Sequence, residues 1–421
     1  MRRNIFFTSL FCLSGLLLCA QTQPRIVGYL SHQRFDLIHY IDVSKLTHLC
    51  LAFANPDAKG NLNLEGEDMT PVVQLAHEHG VKVLVSLAGG ALTPEWESAW
   101  TAHLQPRHRA AFIHKMMNYL RVNNLDGVDV DLEWKYVDKN YSGFVLQLRD
   151  SLNQHGKLMT AALPAVHRYK NMSDAAMKAF DFINIMAYDL TGPWMSNKPG
   201  PHSSYSFAKT AVQYWKKQGV SGDRLSLGVP FYGWNFNDRS NVHSMAFGEL
   251  VTLNVAYAHI DQVGEVYYNG INTIIAKTEL AMEEVGGVMI WELGKDAFNE
   301  YSLLNTIYET IYGKEVKNLV FPEEGEEEEA FDFEIGTDGV QVDLLSIDVQ
   351  PNPQDATLTI INNEDHAIDL QLANRKGRVF FETSVPANSS INWDISSFPS
   401  GYYVIRATDG DLKTARRDVK L

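Results

Sequence analysis

Eight short apolar segments alternate with longer amphipathic segments between residue 25 and about residue 313. Each apolar segment is rich in Val, Ile, Leu or aromatic residues without strict alternation, which is typical of parallel strands buried on both faces. In chain order they read RIVGYL, LTHLCLAFA, VKVLVSLAGG, LDGVDVDLEW, LMTAALPA, FDFINIMAYDL, RLSLGVPFYGW and GGVMIWEL. The segments between them have helical periodicity, and several end in glycines that can terminate a helix, namely Gly80, Gly156 and Gly219.

Eight such β–α units in about 290 residues predict a closed (β/α)₈ barrel, the TIM barrel architecture. The alternative is an open, doubly wound α/β sheet of the kind that binds dinucleotides. No GxGxxG motif follows the first apolar segment, and its absence favours the barrel.

The rest of the chain divides into segments around the predicted barrel, which spans 21–313. Residues 1–20 have a positive start and an apolar run, which predict a cleaved signal peptide; lipid attachment at Cys19 is the alternative. Residues 314–339 contain EEGEEEE and are too charged to fold alone, so we expect an acidic linker. Residues 340–421 contain seven short strand-like segments and predict a small all-β sandwich.

Charge and cysteine content exclude several classes of partner. The net charge of −15 argues against nucleic acid or an anionic membrane. Cys50 is the one cysteine left after signal cleavage, so we expect no intramolecular disulfide, and its apolar neighbours predict an inert core thiol.

The 14 His residues show no metal-binding spacing, and we expect no metal. A secreted or surface-located monomer is the expected state.

The fourth apolar segment, LDGVDVDLEW, carries three acids at alternate positions, Asp129, Asp131 and Glu133. Because side chains alternate along a strand, all three point to one face, with neighbouring Cα atoms in the row roughly 6.5–7 Å apart. Three carboxyl groups this close cannot all ionise cheaply in a buried strand. We therefore expect a shared proton and a protonated Glu133 near the active end of the barrel, poised as a general acid.

The three acids have two other interpretations. One is a structural polar cluster bonded to neighbouring backbone. The other is a divalent metal site, because hard cations prefer oxygen ligands. No nearby His or Asn pattern completes a coordination sphere. Three acids on one strand of a predicted barrel favour catalysis over a structural role.

The segment DGVDVDLE resembles the DGxDxDxE signature of glycoside hydrolase family 18, which contains chitinases and endo-β-N-acetylglucosaminidases. MAYD (186–189), LGVPFYGW (227–234) and GGVMIWEL (286–293) are similar to the family's sixth, seventh and eighth strands. SLAGG departs from the family's third-strand S-x-G-G, because Ala88 stands where the first glycine is expected. The resemblance extends over the whole barrel.

The resemblance implies substrate-assisted, retaining hydrolysis without a cofactor, an exception to the usual pair of catalytic carboxylates. The substrate's N-acetyl oxygen would attack the anomeric carbon while Glu133 protonates the departing oxygen and later activates water. Asp131 would orient the acetamide, and Asp129 would hold Asp131 and share its proton. Tyr188 would donate a hydrogen bond to the acetamide.

The resemblance also implies sugar-binding residues at the ends of the strands. The predicted set is Asp189, Trp291, Met186, Trp194, Tyr29 and Phe53. Trp291 would stack beneath the distorted sugar ring, and Asp189 would position the sugar and tune Glu133. Core packing is the alternative for several members. Trp96 and Trp100, after the third strand, are weaker candidates.

The expected substrate is chitin or another glycan that contains N-acetylglucosamine. Only about fifty residues, 235–285, separate the seventh and eighth strands, and they include the helical segment INTIIAKTELAMEE. Little remains for the α+β insertion that walls the groove of many processive chitinases, so we expect an open cleft. Chitin, N-glycan cores and peptidoglycan stay open as substrates. A sugar-binding lectin is the non-catalytic alternative, although such proteins typically lose the acid and Glu133 is present.

The last 80 or so residues resemble the C-terminal sorting domain of the bacterial type IX secretion system. The likeness rests on the PNP turn in VQPNPQDATLTI, on SFPSGYYVIRA and on the terminal VKL. It implies that secretion machinery exports the chain across an outer membrane. The alternative is a carbohydrate-binding sandwich, but Trp393 is the only Trp in this region and no aromatic row is visible.

Overall fold

The computed structural model describes residues 23–313, 347–352, 357–374, 379–395, 402–408 and 414–420. The described residues before and after position 321 form two compact units. The predicted signal peptide and acidic linker lie outside the described residues. Within those ranges, the helices are too short or too polar to cross a membrane.

The first unit is a closed parallel barrel of eight strands, as predicted. The strands are β1 Arg25–Ser31, β2 His48–Pro56, β3 Lys82–Ala88, β4 Gly127–Asp131, β5 Leu158–Pro164, β6 Phe182–Met186, β7 Leu225–Pro230 and β8 Gly287–Trp291. Strand β1 pairs in parallel with both β2 and β8, and this pairing closes the sheet. Nearly every residue of these strands is buried, which explains why their sequences do not alternate.

Helices surround the barrel. They are α1 Thr70–Glu78, α2 Pro94–His103, α3 Pro106–Val122, α4 Tyr141–Asn153, α5 Asp174–Ala179, α6 Tyr205–Lys217, α7 Phe247–Leu253, α8 Ile271–Glu284 and α9 Leu303–Tyr312. Gly80, Gly156 and Gly219 follow α1, α4 and α6 with φ of 74°, 62° and 88°, the left-handed conformation expected after a helix C-terminus. The segment that connects β1 to β2 contains two 3₁₀ helices, His32–Tyr40 and Val43–Lys45, where the other strands are followed by α-helices.

The connection between β7 and β8 contains more structure than the predicted helix α8. Four short strands form an antiparallel sheet in which Tyr232–Asn235 pairs with His243–Ala246 on one side and Val266–Tyr267 on the other. Helix α7 follows the second of these strands. This small sheet carries aromatic side chains to the C-terminal end of the barrel.

The second unit contains all seven predicted strands. They are β9 Ile347–Asn352, β10 Thr357–Asn362, β11 Ile368–Asn374, β12 Val379–Val385, β13 Ser389–Asp394, β14 Tyr402–Thr408 and β15 Thr414–Lys420. They form two antiparallel sheets, ordered β9–β10–β13 and β12–β11–β14–β15. One apolar core includes residues of both sheets, among them Leu358, Leu370 and Trp393. Because Trp393 is 1% exposed, it cannot act as a sugar platform.

Candidate active site

A cleft of about 850 Å³ opens at the C-terminal ends of the barrel strands, the face at which TIM barrels carry their active sites. Nine of the ten predicted site residues line it: Glu133, Asp131, Tyr188, Asp189, Trp291, Met186, Trp194, Tyr29 and Phe53. The tenth, Asp129, is fully buried in the barrel interior. Residues from distant parts of the chain therefore meet in one site.

Asp129 is enclosed by hydrogen-bond donors from three strands of the barrel, β1, β3 and β5. Its Oδ2 accepts from Ser86 Oγ at 2.7 Å and from the Tyr29 hydroxyl at 2.8 Å, and its Oδ1 accepts from Thr160 Oγ1 at 2.6 Å. Asn184 Nδ2 donates to the Tyr29 oxygen at 3.0 Å and directs that hydroxyl proton toward Asp129. Burial raises the pKa of Asp129, and these donors oppose the rise.

Asp131 differs from Asp129 although both are buried. Its Oδ1 has no hydrogen-bond partner among the described residues. Burial first, and then the charges of Glu133 and Asp129, raise the pKa of Asp131 well above its ordinary value. An unpartnered buried oxygen at the edge of a cleft is suited to accept a hydrogen bond from a ligand.

Glu133 is the acid nearest to solvent in the row. Burial and the negative charge of Asp189 raise the pKa of Glu133 to about 7. The carboxyl group lies over Gly90, where an added Cβ would stand 2.8 Å from Glu133 Oε1. Gly90 therefore makes the space that the carboxyl group occupies. Glu133 can hold a proton near neutral pH and release it to a ligand.

Asp189 is an anchored carboxylate that lines the same cleft as Glu133. Its Oδ1 accepts from the Tyr232 hydroxyl at 2.6 Å and from Trp234 Nε1 at 2.9 Å, and it lies 3.3 Å from His202 Nδ1. Burial alone would raise the pKa of Asp189, but the hydrogen bonds and the charge of His202 lower it overall. Asp189 is therefore a fixed negative charge facing Glu133.

Tyr188 and Met186 occupy the end of β6. The Tyr188 hydroxyl contacts Met289 Sδ at 3.8 Å, a weak interaction that a better acceptor can replace. Burial, together with the nearby acids, raises the pKa of Tyr188 well above its ordinary value, so its proton stays in place. Ser203 Oγ donates to the carbonyl oxygen of Ala187 at 2.7 Å and fixes the strand end.

Aromatic rings form one wall of the cleft. The Trp291 ring stacks on Phe53 with centroids 5.3 Å apart and meets Tyr29 edge to face at 5.6 Å. The peptide bonds Ala52–Phe53 and Trp291–Glu292 are cis. The Tyr29 ring thus packs against Trp291 in the aromatic wall, while its hydroxyl donates to Asp129.

Three residues that follow barrel strands or end them have left-handed backbone conformations: Ala88, Trp134 and Asp189, with φ of 72°, 48° and 61°. Such strain in residues other than glycine tends to concentrate at functional sites. Ala88 explains the departure from S-x-G-G, because its conformation is one that glycine adopts without cost. The alignment of that motif is supported by Ser86, whose hydroxyl contacts Asp129.

The sequence analysis missed several residues of the cleft. These are Trp134, His167, Tyr232, Trp234 and Lys295, together with the buried His202 behind Asp189. Trp134 is 59% exposed and directly follows Glu133, so its position after the acidic motif was a usable signal. The others come from loops whose proximity to the acids depends on long-range folding.

The prediction for Trp100 as a sugar platform is wrong. Trp100 is fully buried, its Nε1 donates to Asn55 Oδ1 at 2.8 Å, and it packs on Phe112 and Phe144. Trp96 is partly exposed on α2 and does not line the cleft. Trp194, in contrast, is 58% exposed and meets Trp234 edge to face at 5.7 Å.

A cluster of side chains that could bind a metal ion lies outside the cleft. Among the described residues, the group whose ligand atoms converge within 4.8 Å is Glu364, Asp365 and His366 in the second unit. Exposed acidic groups of this kind are common without an ion.

The closed (β/α)₈ barrel places a protonatable glutamate in an aromatic-lined cleft, an arrangement suited to acid-catalysed cleavage of a glycosidic bond. Residues 25–296, more than half of the chain, match the family model described as glycosyl hydrolases family 18. The chain therefore belongs to family 18. The resemblance seen in the acidic strand is confirmed.

Solved chitinase structures resemble the barrel. A family 18 chitinase, ChiB, from the chitin utilization locus of Flavobacterium johnsoniae is 47% identical, with a TM-score of 0.68, and the match covers 69% of this chain and 95% of that one. A chitinase from Bacteroides thetaiotaomicron is 28% identical, with a TM-score of 0.62, and the match covers 71% of this chain and 100% of that one.

A curated relative is a chitinase-like effector of Moniliophthora roreri, 30% identical over 223 residues, or 46% of this chain and 54% of the relative. The chain spans about half the length, or less, of the curated relatives it matches first.

The second unit also matches a known family. Residues 348–420 match the model of the secretion system C-terminal sorting domain, which confirms the prediction of a sorting domain. The buried position of Trp393 argues independently against the carbohydrate-binding alternative.

Proposed function

We propose that this protein hydrolyses β-1,4 bonds after N-acetylglucosamine in chitin or chitooligosaccharides, by substrate-assisted catalysis with retention of configuration. The observation that carries the proposal is the acid row, in which Glu133, with a pKa of about 7, faces the cleft and Asp131 lies behind it. A general acid works best when its pKa is close to the working pH.

In the first step, the acetamide oxygen of the sugar attacks its own anomeric carbon. The Glu133 proton moves to the glycosidic oxygen as the bond to the leaving sugar breaks, which leaves an oxazolinium ion. Asp131 Oδ1, which lacks a partner among the described residues, accepts the acetamide N–H and balances the developing positive charge.

In the second step, water attacks the anomeric carbon from the side that the leaving sugar vacated. Glu133, now a carboxylate, takes the proton from this water, and the acetamide is restored. Two attacks at one carbon from opposite faces give net retention.

The remaining site residues position the sugar. Tyr188 donates to the acetamide oxygen and exchanges its weak contact with Met289 sulfur for a stronger acceptor. Trp291 forms an apolar floor for the sugar ring. Asp189 fixes the sugar and keeps Glu133 protonated through its negative charge.

We propose that the protein works outside the cell as a monomer. The sorting domain supports export by secretion machinery to the surface or beyond. Polymeric chitin would be accessible to an enzyme at that location, and the chitin utilization locus of the ChiB relative is consistent with this substrate.

The test uses the full chain and a Glu133→Gln variant side by side. Chitin oligomers and, separately, a high-mannose glycoprotein are incubated with each, and the products are followed by mass spectrometry and by NMR of the anomeric protons. Short β-configured oligomers from the wild type, with the variant at least 10³-fold slower, are the expected result.

Other outcomes would overturn the proposal in defined ways. Release of intact glycan from the glycoprotein alone would make the protein an endo-β-N-acetylglucosaminidase. Binding without turnover by the wild type would favour a lectin. Initial products with inverted configuration would contradict the mechanism.

A further inference from the structure

Lys295 places a positive charge in the cleft close to the acids. It ends the 3₁₀ turn Leu293–Lys295, which follows β8, and it lines the same cleft as Glu133. Its Nζ lies 4.6 Å from the centroid of the Tyr232 ring. Among the described residues, the ammonium group has this cation–π contact and feels the charges of Glu292, Asp189 and Glu249, but it forms no hydrogen bond or close ion pair.

The three acids whose charges act on Lys295 have hydrogen-bond partners of their own. Glu292 Oε1 pairs with Arg34 Nε at 3.2 Å, and its Oε2 accepts from the Gly294 backbone at 3.0 Å. Glu249 Oε2 accepts from the backbone nitrogen of Ala246 at 2.8 Å. Asp189 Oδ1 accepts from Tyr232 and Trp234, as described above. The Lys295 ammonium group therefore has donor capacity left for a ligand.

The backbone at Lys295 is fixed in place. Its N–H donates to the Glu292 carbonyl oxygen at 3.0 Å. The next residue, Asp296, accepts from Leu303 N at 2.8 Å and from Ser302 Oγ at 2.8 Å, which ties the turn to the start of α9. A charge on a rigid turn is pre-organised to discriminate between ligands.

We propose that Lys295 is a specificity-determining residue that favours an N-acetylated sugar over a deacetylated one in the subsite it faces. This inference rests on the proposed function, because it assumes a chitin-like chain in the cleft. An N-acetyl group offers a carbonyl oxygen that the ammonium group can bind. A deacetylated sugar carries an ammonium group of its own, and two cations in a half-buried cleft repel each other.

In this proposal, Lys295 contacts a sugar beside the sugar whose bond is cut. Substrate-assisted catalysis requires an acetamide on the sugar whose bond is cut, whatever residue stands at 295. Selection by Lys295 requires a second N-acetylated sugar at another position along the substrate chain. The two requirements can be separated by sequencing the products.

The test digests partially deacetylated chitosan with the wild type and with Lys295→Met, Lys295→Glu and Lys295→Arg. Lys170→Glu is the matched control, since Lys170 is exposed and does not line the cleft. Mass spectrometry of the products gives the frequency of glucosamine at each position around the cut. The wild type, K295R and K170E should exclude glucosamine at one position beside the cut sugar. K295M should accept it about tenfold more often, and K295E more often still.

The same comparison is made by calorimetry in the Glu133→Gln background, so that it does not depend on turnover. The ratio of affinities for fully acetylated and deacetylated oligomers should fall about tenfold on adding K295E. The inference is overturned if product sequences and affinity ratios are the same with Lys, Met and Glu at 295. Failure of the proposed function would instead abolish turnover in the wild type while leaving the calorimetric comparison able to decide on Lys295.

Discussion

Replacing Asp189 with Asn should move the alkaline limb of the pH–rate profile to lower pH. Hydrolysis requires a protonated Glu133, so kcat/KM falls as pH rises through the Glu133 pKa. Burial and the Asp189 charge together raise that pKa from 4.5 to about 7. Removing the Asp189 charge leaves the contribution of burial in place.

The size of the shift is bounded by the structure. The whole increase is about 2.5, and burial is its larger cause, so Asp189 accounts for less than half. The limb should therefore move down by no more than about one pH unit. The variant should also lose roughly 10- to 100-fold in rate, because an anchored carboxylate no longer positions the sugar.

The assay measures kcat/KM on a soluble chitooligosaccharide between pH 4 and 9 for the wild type, Asp189→Asn and a control, Asp174→Asn. Asp174 is exposed, pairs with Arg168 and does not line the cleft, so its replacement tests a remote loss of charge. A limb that stays in place or moves to higher pH in the Asp189 variant would refute the electrostatic coupling.

Three further substitutions test other parts of the structure. Gly90→Ala should lower kcat at least tenfold with little loss of stability, because the new methyl group would stand 2.8 Å from Glu133 Oε1 and displace the carboxyl group; kinetics and thermal unfolding check this. Thr160→Val should cost about 1–3 kcal/mol in a urea titration, since buried Asp129 loses a donor. Trp393→Ala should cost about 3–5 kcal/mol of stability in the second unit, yet leave hydrolysis of soluble oligomers unchanged.

The sequence alone was enough to predict the elements whose structure depends on residues close together in the chain. Every barrel strand carries a continuous apolar segment because both of its faces are buried, and all eight were found from that feature. Helix α8, Ile271–Glu284, corresponds to the predicted segment INTIIAKTELAMEE. The acids of β4 were also evident, because three charges in an apolar strand conflict with burial unless chemistry requires them.

The sequence failed where a role depends on partners distant in the chain. Trp100 was a reasonable candidate from its position after β3, but its environment includes Asn55, Phe112 and Phe144 from three other segments. The short strands that carry Tyr232 had no clear alternation over two to four residues. Their pairing is a property of the folded chain.

The surroundings of the three acids indicate where the shared proton resides. Asp129 faces donors on both oxygens, so a proton on either oxygen would compete with a donor that is already there. Asp131 has no such donors at Oδ1, and its pKa is raised by burial and by two neighbouring charges. We infer that the proton resides on Asp131 or Glu133 and that Asp129 remains an acceptor. When Glu133 releases its proton to a leaving group, the positive charge that develops on the sugar offsets the repulsion between the new carboxylate and Asp131. The three hydroxyl groups that donate to Asp129 therefore affect catalysis indirectly, because they keep the shared proton on the acids that face the cleft.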